Sequence, residues 1–299
     1  MKIIVGTRGS KLALTQTNMV IDSIKNAYPE IECELKIIKT KGDIVKDLPI
    51  DKIGGKEIFT KEIERELLDG TIDMAVHSMK DMPGELPEGL KLSFSPERED
   101  YRDVLILREG LSSIKDIPVG GKIGTGSKRR KYQILQYRRD LEVVGIRGNI
   151  ETRIRKIEEE NLDGVILAAA GINRLGLELG QRVVYLDKDI LLPSPTQGIL
   201  AIEIREEDSR IDNILKSISH RKTEIQKTVE RAFLKGVGGS CHVPVGAYCD
   251  VIGDKIYLEG LLGTIDGKIL IRKTIEGNLA SLEEIGYRLA KDMVKEMSR

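Results

Sequence analysis

The chain has 299 residues, 40% of them hydrophobic and 32% charged, and its 48 Lys and Arg balance its 48 Asp and Glu to a formal charge of zero. That length predicts two or three domains, the apolar fraction suffices for ordinary cores, and the charge balance argues against nucleic acid or an anionic membrane as partner. The chain has three cysteines, no leader ahead of the first strand-like segment, and no run near the ~20 apolar residues that cross a bilayer; together these predict a cytoplasmic protein without a disulfide framework.

Lys2-Val5 reads as a buried strand, and Ser10 as the N-cap of a helix through about Asn26. Ile31, Cys33, Leu35 and Ile37 alternate with charged residues, the period of a half-buried strand; Ile38 breaks the alternation and predicts cover on both faces at the far end. Thr60 is placed to cap a helix ending near Gly70, and Ile72-Val76 follows as a strand. The βαβα order predicts a mostly parallel, helix-covered sheet. It restarts at Lys122-Ile123, with a helix over Lys128–Arg138, a strand over Leu141–Val144, a helix over Glu151–Asn161 and a strand over Val165–Ala169. Pro193-Ser194-Pro195 punctuates the chain before a strand over Ile199–Ile204. A third unit has a helix over Glu224–Lys235, a glycine-rich loop, strands over Val245–Val251, Lys255–Leu262 and Lys268–Ile275, and a last helix over Ser281–Met297. Gly6-Thr7-Arg8-Gly9-Ser10 and Gly124-Thr125-Gly126-Ser127 each follow an apolar segment and precede a helix, so two similar halves facing each other across a cleft are expected.

Three kinds of residue could carry chemistry. Cys33 and Cys249 sit in strand-like runs and read as core, whereas Cys241 lies in Gly236-Val237-Gly238-Gly239-Ser240-Cys241-His242, where the thiol is either reactive or an idle loop residue. Asp81 follows the strand ending in Val76-His77-Ser78 and reads either as a catalytic carboxylate past a strand end or as a turn former before Pro83. His77 reads as structural. Arg8 and Ser10, then Ser127, Arg129 and Arg130, then Arg147 and Arg153 stand at helix starts, where free N–H groups and guanidinium forks suit anions. Several such sites in one cleft would take a ligand with many carboxylates; few aromatics and no glycine-lysine phosphate loop make phosphate or nucleic acid poorer fits. No spaced His/Cys set points to a metal.

These segments together resemble the hydroxymethylbilane synthase (porphobilinogen deaminase) family. The matching blocks are Gly6–Ala13, Phe59–Glu62, Ala75–Asp81, Glu97–Asp100, Gly124–Arg130, Ile146–Asn149, Ala168–Gly171 and Gly239–Cys241, in family order. The resemblance implies an α/β chain with two periplasmic-binding-protein-like α/β domains around a cleft and a small C-terminal α+β domain with a three-stranded antiparallel sheet. It places domain 1 at 1–98 and 194–218, domain 2 at 99–193, and domain 3 at 219–299 with the cysteine. It implies a cytoplasmic transferase of tetrapyrrole biosynthesis, monomeric, that joins four porphobilinogen molecules head to tail with loss of ammonia and releases linear hydroxymethylbilane by hydrolysis. A dipyrromethane cofactor would be covalently attached through Cys241, and Asp81 would be the catalytic acid. Lys80, Ser127, Arg129, Arg130 and Asp43 would hold the cofactor, and Arg8, Ser10, Arg147, Arg153 and Arg174 the substrate's acetate and propionate groups. Two departures stand out: Glu57 replaces a glycine common in the family, and His242 follows the cysteine. A two-lobed binding protein and an arginine-dependent nucleic-acid binder are the competing readings.

Overall fold

Strand β1 (Lys2–Thr7) buries Ile3 and Val5 completely and feeds helix α1 (Lys11–Ala27) through Ser10, whose hydroxyl accepts the Ala13 N–H at 3.3 Å. In this computed structural model, residues 1–44, 58–238 and 243–298 are described. The buried stripe Val20, Ile21 and Ile24 of α1 joins Ile3 and Val5 in one core, the expected consequence of an apolar face repeating at helical spacing. Strand β2 (Glu32–Ile37) runs parallel to β1, with Ile31 buried and Cys33 and Leu35 half-buried against that core. The far end corrects the sequence reading: Ile38 is buried but Ile37 is 54% exposed, so that end is covered on one face only. A short helix, α2 (Lys41–Ile44), follows, then α3 (Lys61–Leu68). Thr60 stands at the N-cap of α3, yet its hydroxyl is buried and accepts no hydrogen bond from the helix, so it is not the side-chain cap that the sequence predicts. Strand β3 (Met74–Ser78) ends in a single 3-10 turn, Met79–Asp81, and β4 is Leu90–Leu92.

The second sheet holds β5 (Asp103–Leu107), β6 (Lys122–Gly124), β7 (Glu142–Val144), β8 (Gly164–Ala168) and β9 (Val183–Leu186). Between them lie α4 (Lys128–Tyr137), α5 (Ile150–Glu159) and α6 (Ala169–Arg174). The chain then returns as β10 (Leu200–Arg205) to the first sheet and continues into α7 (Ser209–Ser217). Strand orders are β2-β1-β3-β10-β4 and β7-β6-β8-β5-β9, so β6 occupies the place of β1 and β8 that of β3. The internal echo at Gly6 and Gly124 is therefore a repeat of topology as well as of sequence. Each sheet is mixed rather than mostly parallel: β1–β2 and β1–β3 are parallel, while β10 runs antiparallel to both its neighbours, and β5 does the same in the second sheet. The two antiparallel strands are those that the chain enters after crossing between sheets.

The two crossovers touch: Glu99 donates its N–H to the Gly198 carbonyl at 3.2 Å, and Gly198, at φ +92°, has no room for a Cβ, which would sit 2.3 Å from the Glu99 carbonyl oxygen. The third unit is α8 (Arg221–Gly236), an antiparallel sheet of β11 (Val245–Ile252), β12 (Lys255–Gly263) and β13 (Leu270–Asn278), and α9 (Leu282–Met297). Phe233, Ile256, Leu258, Leu289 and Met293 fill its core. Helix α8 docks on the first crossover through a set of polar contacts. Glu224 accepts from the Ser95 N–H at 2.7 Å, Lys227 donates to the Ser93 carbonyl at 2.9 Å, and Arg98 forks onto Glu230 at 2.7 and 3.2 Å. Burying an ion pair costs desolvation, which this one recovers because the Glu230 carboxylate also accepts the backbone N–H groups of Thr196 and Cys249.

Candidate functional site

Residues singled out in the sequence lie just past the C-terminal ends of parallel strands, where open α/β sheets expose helix N-termini and loops. Arg8 and Ser10 follow β1, Asp43 follows β2, and Lys80 and Asp81 follow β3; Ser127, Arg129 and Arg130 follow β6, Arg147 follows β7, and Arg174 ends the helix after β8. In the first sheet, Arg8 forks onto Asp43 through Nε and Nη2 and stacks over the Phe59 ring, 4.3 Å from its centroid. Burial raises the Asp43 carboxyl, but the hydrogen bonds from Arg8 and Thr40 outweigh it and hold the group below the usual carboxylate range. Two residues expected to meet a ligand thus also meet each other.

Asp81 is exposed at the end of its 3-10 turn. Its charge acts on Lys80 beside it and on Arg153 of the second sheet's α5, so the acid stands where the two halves come together. Lys80 Nζ donates to Gln197 Oε1 at 3.3 Å. Burial and the cations Arg130 and Arg129 push its ammonium down to about 8, against the pull of Asp81 and Asp103. Arg153 Nε donates to the Gly148 carbonyl at 2.7 Å; burial, helped by Arg130 and Arg147, lowers its guanidinium to about 10. Burial does the same to Arg174, whose Nη2 donates to the Gly198 carbonyl at 2.6 Å while its Nε is buried without a hydrogen-bond partner among the described residues. Ser127 caps α4, accepting the Arg130 N–H at 3.4 Å, as Ser10 caps α1.

The structure also shows a cluster that sequence reasoning missed. Arg129 and Arg130 are buried and converge on Asp103, which has no exposed surface: Arg129 Nη1 is 2.7 Å from Oδ2, and Arg130 Nε and Nη2 are 3.0 and 2.7 Å from Oδ1. Burial opposes the Asp103 charge, but the two guanidinium groups hold it ionised far below the usual range. Gln197, also fully buried, donates to Asp103 at 3.0 Å. A charged residue opening the apolar run Val104-Leu105-Ile106-Leu107 was the available signal for Asp103; Gln197 lay hidden in a segment read only as punctuation. His77, read as structural, lies 3.2 Å from the buried Glu203 in the sheet. Cys249 is buried, and burial pushes its thiol upward. Cys241 and His242, like Glu57, lie outside the described residues; α8 ends at Gly236 and β11 begins at Val245, on either side of the cysteine.

Lys80, Arg129, Arg130, Arg147 and Arg153 thus form one electrostatically linked group with Asp81 and Asp103, an excess of cations suited to a polycarboxylate ligand. The buried, unpartnered Arg174 Nε is a further donor that such a carboxylate would satisfy. No helix among the described residues is long and apolar enough to cross a membrane.

The family model "Porphobilinogen deaminase, dipyromethane cofactor binding domain" matches residues 3–213, and "Porphobilinogen deaminase, C-terminal domain" matches residues 225–295. Curated relatives named porphobilinogen deaminase include that of Clostridium novyi, 59% identical with all of both chains covered. That of Clostridioides difficile is 56% identical over 99% of this chain and 98% of its own, and that of Syntrophus aciditrophicus 46% identical over 97% and 94%. Among solved structures, the methionine-binding protein MetQ is 11% identical, covering 77% of this chain and 94% of its own at a TM-score of 0.45. On the match of both family models and of relatives along its whole length, the chain belongs to the porphobilinogen deaminase family of transferases.

Proposed function

We propose that the protein is a hydroxymethylbilane synthase in which Asp81 carries the repeated chemistry and Cys241 serves as a permanent anchor. The overall reaction joins four porphobilinogen molecules head to tail, releases ammonia at each condensation, and frees linear hydroxymethylbilane by hydrolysis, in the cytoplasm and as a monomer with no membrane or nucleic-acid partner. The observation that carries the reading is the placement of Asp81: an exposed carboxylate past a strand end, whose charge reaches cations of both sheets, Lys80 and Arg153. The proposed division of the chain puts 1–98 and 194–218 in one domain, 99–193 in a second and 219–299 in a third, so that the acid, the arginines of α4 and α5 and the cysteine each come from a different unit.

A dipyrromethane bound through Cys241 would supply the primer from which the chain grows, held by a thioether that does not leave during elongation. Lys80, Ser127, Arg129, Arg130 and Asp43 are the residues we assign to hold it, and Arg8, Ser10, Arg147, Arg153 and Arg174 those for the carboxylates of incoming substrate. The fit is one of charge and donors, the cation excess and the orphaned Arg174 Nε. Asp81 acts on the substrate as general acid, giving a proton to the aminomethyl nitrogen as it departs as ammonia, and its carboxylate then stabilises the positive charge left on the pyrrole. The arginines orient the ring by gripping acetate and propionate as planar forks.

Intact mass and kinetics together test this. Wild type should carry a covalent adduct and consume porphobilinogen; Cys241→Ala should show the bare chain mass and no turnover. Asp81→Asn should keep the adduct and lose turnover by ~10²–10⁴-fold. Normal consumption by Asp81→Asn, or a wild type bearing no adduct after exposure to porphobilinogen, refutes the assignment.

A further inference from the structure

Gln197 sits in the crossover that brings the chain back from the second sheet to the first. The residue before it, Thr196, adopts φ +60°, left-handed backbone that a β-branched residue rarely takes. The surroundings hold it there: Glu230 accepts the Thr196 N–H at 2.5 Å, and Arg98 Nε donates to the Gln197 carbonyl at 2.8 Å. The result of this constrained backbone is a fully buried amide facing both sheets at once. Its nitrogen lies 2.8 Å from the Tyr101 carbonyl, 3.3 Å from that of Arg102 and 3.0 Å from Asp103 Oδ1. All three neighbours are acceptors, so the amide has one satisfactory orientation and its oxygen must face the Lys80 ammonium. Backbone strain kept in place by several partners marks functional segments more often than passive ones.

We propose that Gln197 is a positioning residue: its amide registers Lys80 of the first sheet against the Asp103–Arg129–Arg130 cluster of the second, so that cations from both sheets meet the same ligand carboxylates at a fixed spacing. The inference rests on the functional reading above. The charges of Asp81, Asp103, Arg129 and Arg130 act on Lys80, and Gln197 offers its ammonium a neutral acceptor.

The test compares wild-type holoenzyme with Gln197→Met, which fills the space without hydrogen bonds, and Gln197→Asn, which keeps an amide but falls one methylene short of Lys80. Adduct mass, kcat, KM for porphobilinogen, the pH profile and Tm are measured for each. Removing an acceptor from the ammonium disfavours its charged form, so the alkaline limb of kcat/KM should move to lower pH by about one unit, with kcat/KM down about tenfold at neutral pH. Both variants should show the shift, the Asn variant with the smaller fall in Tm. A folded variant of either kind with wild-type KM and an unmoved alkaline limb overturns the proposal, and so does failure of both to fold, which would make the amide a requirement of the fold alone. A wild type inert toward porphobilinogen would instead sink the functional reading, before any variant is compared.

Discussion

Arg129 and Arg130 were expected to meet a ligand, and each spends its strongest hydrogen bonds on Asp103 inside the protein. That changes what a substitution would measure. Arg129→Ala leaves Asp103 buried with half of its counter-charge, and such a loss costs about 3 kcal/mol, so denaturant midpoints should fall well before kinetics are considered; an unchanged midpoint would show that Asp103 is not dependent on the pair. Lys80 makes a different prediction. Its ammonium, lowered to about 8, is charged below that pH and neutral above it, so its grip on carboxylates weakens as pH rises through about 8. Lys80→Met, which has no charge to lose, should flatten the alkaline limb of kcat/KM, and a limb identical to wild type would assign it to another group. Arg8, Ser10, Ser127, Arg129 and Arg130 were legible because they stand just past strand ends near glycines, where local sequence sets the backbone, whereas Lys80, Arg174 and Asp43 came from the family resemblance, which also decided between the two readings of Asp81. Asp103 and Gln197 were not, because their role depends on two crossovers that bring Asp103, Gln197 and Lys80 into contact from distant parts of the chain.

Helix α8 is the element on which the third unit depends. Its far side packs on α9 closely enough that Gly286 admits no side chain: a Cβ there would lie 2.5 Å from the Val229 carbonyl oxygen and 2.7 Å from the Phe233 nitrogen. Both neighbours are backbone, so Gly286→Ala must push the helices apart, at a cost of about 1–3 kcal/mol, and thermal unfolding should show a lowered Tm. No change would mean that the helices are free to separate. The sequence showed α1 through its cap, and the strands of the third sheet through the tight turns that join consecutive strand-like runs. It did not show β5, whose five residues are all buried and carry no alternation, nor β4 and β9, too short to have a period. The mostly parallel sheet expected from the βαβα order failed for another reason: β10 and β5 enter antiparallel through crossovers, and direction is not written in a strand's own residues.

At the scale of the whole molecule, the two sheets share one plan, and each takes its antiparallel strand from just beyond a crossover. In the first sheet that strand, β10, lies between β3 and β4, with Leu200 opposite Ser78 and Glu203 opposite Leu92. A fragment of residues 1–198 would leave β3 as a bare edge and β4 without its partner, so it should aggregate or unfold without cooperativity; a soluble fragment with a sharp transition would contradict this. The feature also sets an order in time. A nascent chain emerges from its N-terminus, and long-range pairings are the slowest to form. The turn that carries Lys80 and Asp81 is tied down by Ile199, whose carbonyl accepts the Met79 N–H at 3.0 Å. The acid is therefore synthesised early and seated late, after the entire second sheet has passed, so a half-made chain would have its acid without the backing that aims it.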